Sequence, residues 1–574
     1  MPQRFKLWHH TLAHAFYMLL LLIITQPLIT QLNTVFIGSY EGDAHEYIRH
    51  IWWLQHALQT GQPLFQQPLL AYPDGLSAAW LWGNPLQSFP AWLFAFIMPL
   101  PAAYNLMVLL WLSLNGWAMF YLVRRLLNGT HTHAPLTDHA TQAALVAGTA
   151  YMLYPAMQGQ LFGSHAGLLV LWGAPLYLDA LLRLRTHTRP WDYLRVAVFF
   201  VVSLLGNTLL LIYLLLPLTL YIGISRLVQR QWGWLVRCVA GASAGLLLSL
   251  IFILPVLREQ AASPVAPNPN TAITYGADLL AVVSPSFYNP LFTDLTYSRN
   301  VLGTNLTEGV GYLGIVAGLL AVVGLWRFAA ARGWLLLIAV TWAFSLSPLL
   351  KFREELVTVT ISGFLTYLPA PSLAFGSLPV LSAVRSSARF NIAVGFGVAV
   401  LVGYGAAWLF NRLSGGQAWR RIARYGVVGL LITLIALDYQ LIWERGLPTV
   451  ATIPAEIPSQ FTALRDDDGI RAVFNLPYQH PLAAKHGLYL QTAHHKPLVA
   501  GHVTRQTPVD PAKLEMLQAT LDAALLNEAG ADVIILHREW GTDELEAHAQ
   551  AQLGPPTFTD EHFMLWHLGA NNDA

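Results

Sequence analysis

Apolar stretches long enough to span a bilayer recur along most of the chain, and they constrain its fold more than any other feature. A helix needs about 20 predominantly apolar residues to cross the hydrocarbon core. Such windows run roughly over 15 to 37, 103 to 123, 141 to 158, 163 to 182, 192 to 207, 209 to 227, 234 to 257, 309 to 326, 333 to 350, 388 to 411 and 423 to 443. A further stretch, 85 to 100, is short and broken by Pro85, Pro90 and Pro99. Prolines remove helix hydrogen bonds, so it reads either as a span or as a re-entrant or interfacial helix. With 55% hydrophobic and only 11% charged residues in 574, the composition is that of an α-helical polytopic membrane protein. A net charge of +1 without blocks of like charge leaves nothing to neutralise a phosphate backbone, which excludes nucleic acid as a partner.

Basic residues orient the spans, because Lys and Arg stay on the cytoplasmic side. They cluster at Arg4/Lys6, Arg124/Arg125, Arg183/Arg185/Arg189, Arg226/Arg230/Arg237, Arg327/Arg332 and Arg412/Arg420/Arg421/Arg424. If 85 to 100 does not cross, all of these fall inside. The count is then about eleven, within a range of about 11 to 13, with the N-terminus cytoplasmic and 38 to 102, 259 to 307 and 351 to 387 external. The C-terminus then also lies outside. From about Gly446 charges become frequent, and the strand-like runs AVFNLP and DVIILH flank a helical stretch near Pro511 to Glu528. The expected organisation is a multi-span domain over 1–445, with its first external loop at about 38–102, and a small soluble extracytoplasmic α/β domain over 446–574.

The lone Cys238 can form neither an internal disulfide nor a cysteine-based metal site. His131, His133, Asp138 and His139 lack a recognised ligand spacing and read as a solvated cytoplasmic loop. On the expected outer side, EGDAHEY places Glu41, Asp43 and Glu46 beside the first span. Carboxylates at a span mouth are costly there, so they mark a functional site, with Asp43 the strongest candidate for a general base. The same side collects His45, Arg49, the Tyr72-Pro73-Asp74-Gly75 turn sequence, His165, Asn207, Asp278, Tyr288 and Glu308. In VRSSARF, Arg385 and Arg389 are four residues apart, a spacing that puts both guanidiniums on one helix face, where they suit a phosphate.

This arrangement resembles the polytopic glycosyltransferases of the GT-C class and, more narrowly, bacterial YfhO-like membrane proteins. The resemblance rests on the stretch from EGDAHEY through YPDG, on AYNLMVLLWLSLNGWAMFYLVRRL, ADLLAVVSPSFYNPLF, EGVGYLG and VRSSARF, and on YLQTAHHKPLVAGHVTR. It implies a polyprenyl-phosphate-linked sugar donor, a glycan, lipid or protein acceptor, and a bacterial inner (plasma) membrane location. By position it implies Asp43 as catalytic base, Glu41, Glu46 and Glu308 as supporting acidic groups, and Arg385 and Arg389 on the lipid phosphate. His45, Tyr72, His165, Asn207, Asp278 and Tyr288 would contact acceptor or sugar. The tryptophan-rich acceptor motif of oligosaccharyltransferases is missing, which argues against protein N-glycosylation. No second acidic pair accompanies Asp43, so a reaction without metal or other cofactor is expected over one assisted by a divalent ion. Two rivals share the architecture: a lipid or glycan transporter or flippase, and a non-catalytic membrane assembly protein. A transporter predicts ionisable groups near mid-membrane. The middles of most windows are instead uninterrupted Leu, Val, Ile and Ala, which favours an enzyme working at one face.

Overall fold

A computed structural model describes residues 7–129, 136–137, 139–262, 269–292, 294–302, 305–378, 381, 384–413, 418–439, 450–501 and 508–568. The chain divides into two compact units. One comprises Met1–Gln31, Leu106–Ile253 and Pro267–Ala451; the other comprises Leu32–Asn105, Leu254–Ala266 and Thr452–Ala574. The 445/446 boundary expected from composition lies outside the described residues.

Among the described residues six helices are long and apolar enough to cross a membrane, or seven if a pair bent by 119° is one span. The chain is a multi-pass membrane protein. Several of the eleven windows fold as shorter pieces: Ala140–Met152, Pro190–Leu204, Ile315–Arg327 and Gly333–Ser345 have 13, 15, 13 and 13 residues. Proline explains one of these ends. Pro155 pushes Tyr154 to ψ 134° and out of the helical region, splitting the 141 to 158 window. The first helix is Leu7–Ile24 rather than 15 to 37, because Pro27 follows and the chain runs on into the strand Val35–Ile37. Residues 85 to 100 hold the 3-10 turn Pro85–Gln87 and the six-residue helix Phe89–Phe94, each far shorter than a bilayer.

In the helical unit, Asn391–Arg412 is buried along nearly its whole length. Small residues make this packing feasible, since lipid gives no hydrophobic drive between helices and close backbone contact must supply the attraction. A Cβ on Gly405 would collide with the Leu320 carbonyl, and one on Gly324 would lie 2.6 Å from the Leu401 carbonyl oxygen. The helix Trp232–Ala262 is the opposite case, with Leu246, Leu247 and Ile251 exposed. Lipid is the natural solvent for such a face.

The other unit is built on a four-stranded sheet ordered Phe558–Thr559, Phe563–His567, Ala531–His537 and Ala472–Leu476. The last two strands are parallel, and Phe563–His567 runs antiparallel to Ala531–His537. Successive side chains alternate faces. Phe474, Leu476, Ile534, Leu536 and Trp566 pack with Leu514, Leu517 and Leu526 on one side; Val473, Val533, Ile535 and Phe563 pack with Phe461, Leu488 and Leu490 on the other. The first-loop segment belongs to this unit. Val35–Ile37 pairs antiparallel with Thr452–Pro454, and the Leu498 N–H donates to the Leu69 carbonyl at 3.0 Å.

Candidate functional site

Asp43 occupies the N-cap position of the helix Ala44–Thr60 but makes no side-chain cap hydrogen bond. An N-cap aspartate normally accepts a backbone N–H of the first turn. Here its Oδ1 lies 2.7 Å from Nζ of Lys485, and the carboxylate is 30% exposed. The same ammonium donates to the Gly42 carbonyl at 3.1 Å, locking it in place. Lys485 comes from the helix Pro481–His494, which packs along Ala44–Thr60.

The neighbours of Asp43 are committed elsewhere. The His45 ring lies near-parallel to those of His486 and Tyr489, at centroid distances of 5.0 and 5.1 Å, and those two rings are themselves 6.4 Å apart. Burial, with the charges of His486 and Lys485, holds His45 well below the usual histidine range, so it is neutral. Glu46 is buried with an oxygen 3.7 Å from His50 Nε2. Arg49 is fully buried; it donates from Nε to Gln491 Oε1 at 2.9 Å and from a terminal nitrogen to Gln67 Oε1. Glu41 is exposed. Tyr72 ties the loop to the sheet region: its N–H donates to the Leu498 carbonyl at 3.0 Å and its ring packs over Gly530.

Lys485 Nζ engages Oδ1 of Asp43, and among the described residues no group of three His, Cys, Asp or Glu converges on a cation site.

Burial and the charge of His562 lower His486 from 6.5 to about 4. A histidine held below its unfolded value stabilises the fold fully above about pH 6.5 and loses that contribution as pH falls toward about 4. One such group accounts for about 3 kcal/mol over the window. Thermal unfolding between pH 7.5 and 4.5 should therefore show the sheet unit weakening steadily below pH 6.5; a flat profile would mean that these rings are not held neutral.

The helical unit brings together His165, Glu308 and Arg389. Glu308 is buried in a turn between helices, where it accepts from Arg389 Nε at 3.0 Å and also from a terminal guanidinium nitrogen. Ser386 Oγ donates to it at 2.9 Å and Gln160 Nε2 at 3.2 Å, with His165 Nδ1 3.8 Å away. Burial alone would raise Glu308, but Arg389's charge and hydrogen bonds, with His165 and Ser386, outweigh it and hold the carboxyl well below its ordinary range. The network also fixes a tautomer. Gln160 Nε2 faces two acceptors, the Thr307 carbonyl and Glu308, so its oxygen must face His165 Nδ1, 2.6 Å away. An amide oxygen only accepts, which puts the proton on Nδ1.

Arg385 and Arg389 do not share a helix face. The Ala388 N–H donates to the Tyr275 carbonyl and Ser387 Oγ to the Leu346 carbonyl, and Ser386 is extended; helical turns begin only at Ser387–Phe390. Arg385 is exposed outside them. Three other candidates hold local structure. Asn207 Oδ1 accepts the Leu209 N–H at 2.9 Å. Asp278 accepts the N–H groups of Leu280 and Glu354 at 2.8 and 2.9 Å; burial raises its proton affinity, and those N–H groups with Lys351 oppose the rise. Tyr288 packs on Phe287. His131, His133 and Asp138 lie outside the described residues.

Sequence reasoning missed Lys485, Gln160, Ser386 and Asp438. The last was visible as a lone carboxylate inside the final apolar window, 423 to 443; it accepts from Tyr312 Oη and from the N–H groups of Ile315 and Val316, capping Ile315–Arg327. Nothing local marks the other three: Lys485 pairs with Asp43, and Gln160 and Ser386 with Glu308, each far away in sequence.

A family described as "Domain of unknown function (DUF6311)" matches residues 13–435. The chain belongs to the DUF6311 family. No curated protein matches this DUF6311 chain. Among solved structures it is similar to the arabinofuranosyltransferase AftD from Mycobacteria, with TM-score 0.54, 14% identity and coverage of 99% of this chain. A second AftD structure gives 0.56 at 13% identity and 99% coverage. The chain spans 40% and 42% of AftD's length in the two cases. ArnT from Cupriavidus metallidurans, bound to undecaprenyl phosphate, gives 0.47 at 12% identity, with 99% of each chain covered. The AftD likeness shows the fold alone: the DUF6311 chain shares the fold of the part of AftD that it covers.

Proposed function

We propose that this protein transfers a sugar from a polyprenyl-phosphate-linked donor to an acceptor at the outer face of a bacterial plasma membrane, with Asp43 as general base. The observation that carries the reading is the Asp43 carboxylate: partly exposed, not used to cap its helix, and held by Lys485 at 2.7 Å. Its setting in a GT-C fold like that of an arabinofuranosyltransferase supplies the reaction class. A carboxylate aimed by a fixed ammonium can take the proton of an acceptor hydroxyl within hydrogen-bond reach. The hydroxyl oxygen then attacks the anomeric carbon, the bond from that carbon to the phosphate oxygen breaks, and polyprenyl phosphate leaves with the electron pair. Arg389's fork is engaged by Glu308, so exposed Arg385 is the better of the two for binding the lipid phosphate. The reading carries the topology with it: about eleven spans, N-terminus cytoplasmic, C-terminal segment extracytoplasmic.

The test uses the purified protein in lipid vesicles with a panel of radiolabelled polyprenyl-phosphate monosaccharides and periplasmic or cell-wall extract as acceptor. Release of polyprenyl phosphate with label appearing in the acceptor is expected for one donor. Transport of label across the vesicle without release would establish the flippase reading instead. Within this scheme Lys485 positions the base. Lys485→Met is expected to lower kcat by about tenfold with KM little changed, and Lys485→Arg to restore most of the rate; a rise in acceptor KM with kcat unchanged would place Lys485 in acceptor binding instead.

A further inference from the structure

Between the helices Gly333–Ser345 and Asn391–Arg412, the chain forms a β-hairpin of Thr358–Ile361 and Phe364–Tyr367, turned at Ser362 and Gly363 with φ of 52° and 83°. Its base is tied close to the end of Gly333–Ser345. The Leu350 N–H donates to the Leu368 carbonyl, the Leu368 N–H to the Val357 carbonyl and the Ala370 N–H to the Pro348 carbonyl, while Ser372 Oγ donates to the Leu346 carbonyl. That helix presents Leu335, Leu336 and Val340 to its surroundings, the face of a membrane helix in contact with lipid.

The hairpin reverses the polarity of an ordinary exposed hairpin. Ile361, Phe364 and Leu365 at the tip are 60%, 78% and 74% exposed. Consecutive strand residues point to opposite faces, so Phe364 and Leu365 make both faces of the tip apolar. A protein docking on one face would leave the other in water; a lipid phase surrounds both. Charges gather at the opposite end, where Lys351, Arg353, Glu354 and Glu355 belong to the short hairpin Lys351–Phe352 and Glu355–Leu356. Tyr367, amphipathic and exposed, stands between charged base and apolar tip, as aromatic residues do at membrane interfaces.

We infer that the tip Ile361–Leu365 is a membrane wedge, inserted among the lipid headgroups and upper acyl chains beside Gly333–Ser345. The outer edges of a two-stranded hairpin keep unpaired N–H and C=O groups, which bars deeper entry into hydrocarbon. Anchoring there would fix the segment that leads on to VRSSARF.

The chain's single cysteine makes the test direct. In a Cys238→Ser background, spin labels are placed through Phe364→Cys, Ile361→Cys and Glu355→Cys in the full-length protein, reconstituted in phosphatidylethanolamine/phosphatidylglycerol nanodiscs. Collision with oxygen, which partitions into lipid, should exceed collision with a water-soluble nickel chelate by severalfold at 361 and 364, with the order reversed at 355. Dominant chelate access at 361 and 364 would place the tip in water, and shielding from both reagents would mean that protein covers it; either result overturns the wedge. Two tip positions keep the test decisive if one variant folds poorly.

Discussion

Asp43→Asn is expected to reduce kcat for sugar transfer by about 10²- to 10⁴-fold while leaving KM for donor and acceptor little changed. General-base catalysis contributes about that much, and asparagine keeps the shape of aspartate without its ability to take a proton. The fold should survive. Asparagine is as good an N-cap as aspartate, and the lost ion pair with Lys485 involves a carboxylate 30% exposed, where such pairs contribute about 1 kcal/mol or less. Initial rates with the donor identified in the vesicle assay, together with a melting temperature within a few degrees of wild type, check both halves. Turnover equal to wild type would remove Asp43 from the chemistry.

The second large effect falls on stability. Glu308→Ala leaves Arg389 in a low-dielectric site without its counter-charge, and breaking one side of a buried pair costs about 3–5 kcal/mol. The double variant Glu308→Gln/Arg389→Met should recover much of that loss, because it removes both charges together. Unfolding rates in detergent micelles at fixed temperature measure the difference. Near-equal behaviour of single and double variants would show that the two groups are not coupled. pH supplies an independent check. Since Glu308 is held below its unfolded value of 4.5, its contribution is complete above that pH and is lost as pH falls toward about 2.

Helices were legible in the sequence where lipid sets the rule: a long apolar run has few alternatives in a bilayer. Their ends were less so, because Pro27 and Pro155 act on backbone geometry that hydropathy does not register. In the candidate site, Asp43 stood out as a carboxylate in an apolar context, whereas Lys485 looked like any surface lysine until its helix was seen beside Gly42. The spacing of Arg385 and Arg389 misled for a specific reason. It assumes a helix, whereas Ser386 is extended and gives its hydroxyl to Glu308, and Ser387 gives its hydroxyl to the distant Leu346 carbonyl. Asn207, Asp278 and Tyr72 hold turns and loop contacts, uses that favour the same polar residue types as binding does.

The pairing of the loop helix Ala44–Thr60 with Pro481–His494 has a consequence for biosynthesis. Arg49 leaves the ribosome long before Gln491, its partner, exists. At about 5–20 residues per second, the interval is on the order of tens of seconds. During it the loop helix carries a guanidinium lacking that partner and the apolar bulk of Trp52 and Trp53, with the helix that will cover it not yet made. A nascent chain arrested after the last membrane helix should therefore present this segment to chaperones or proteases, and completion of the final sheet unit should be the step that protects it.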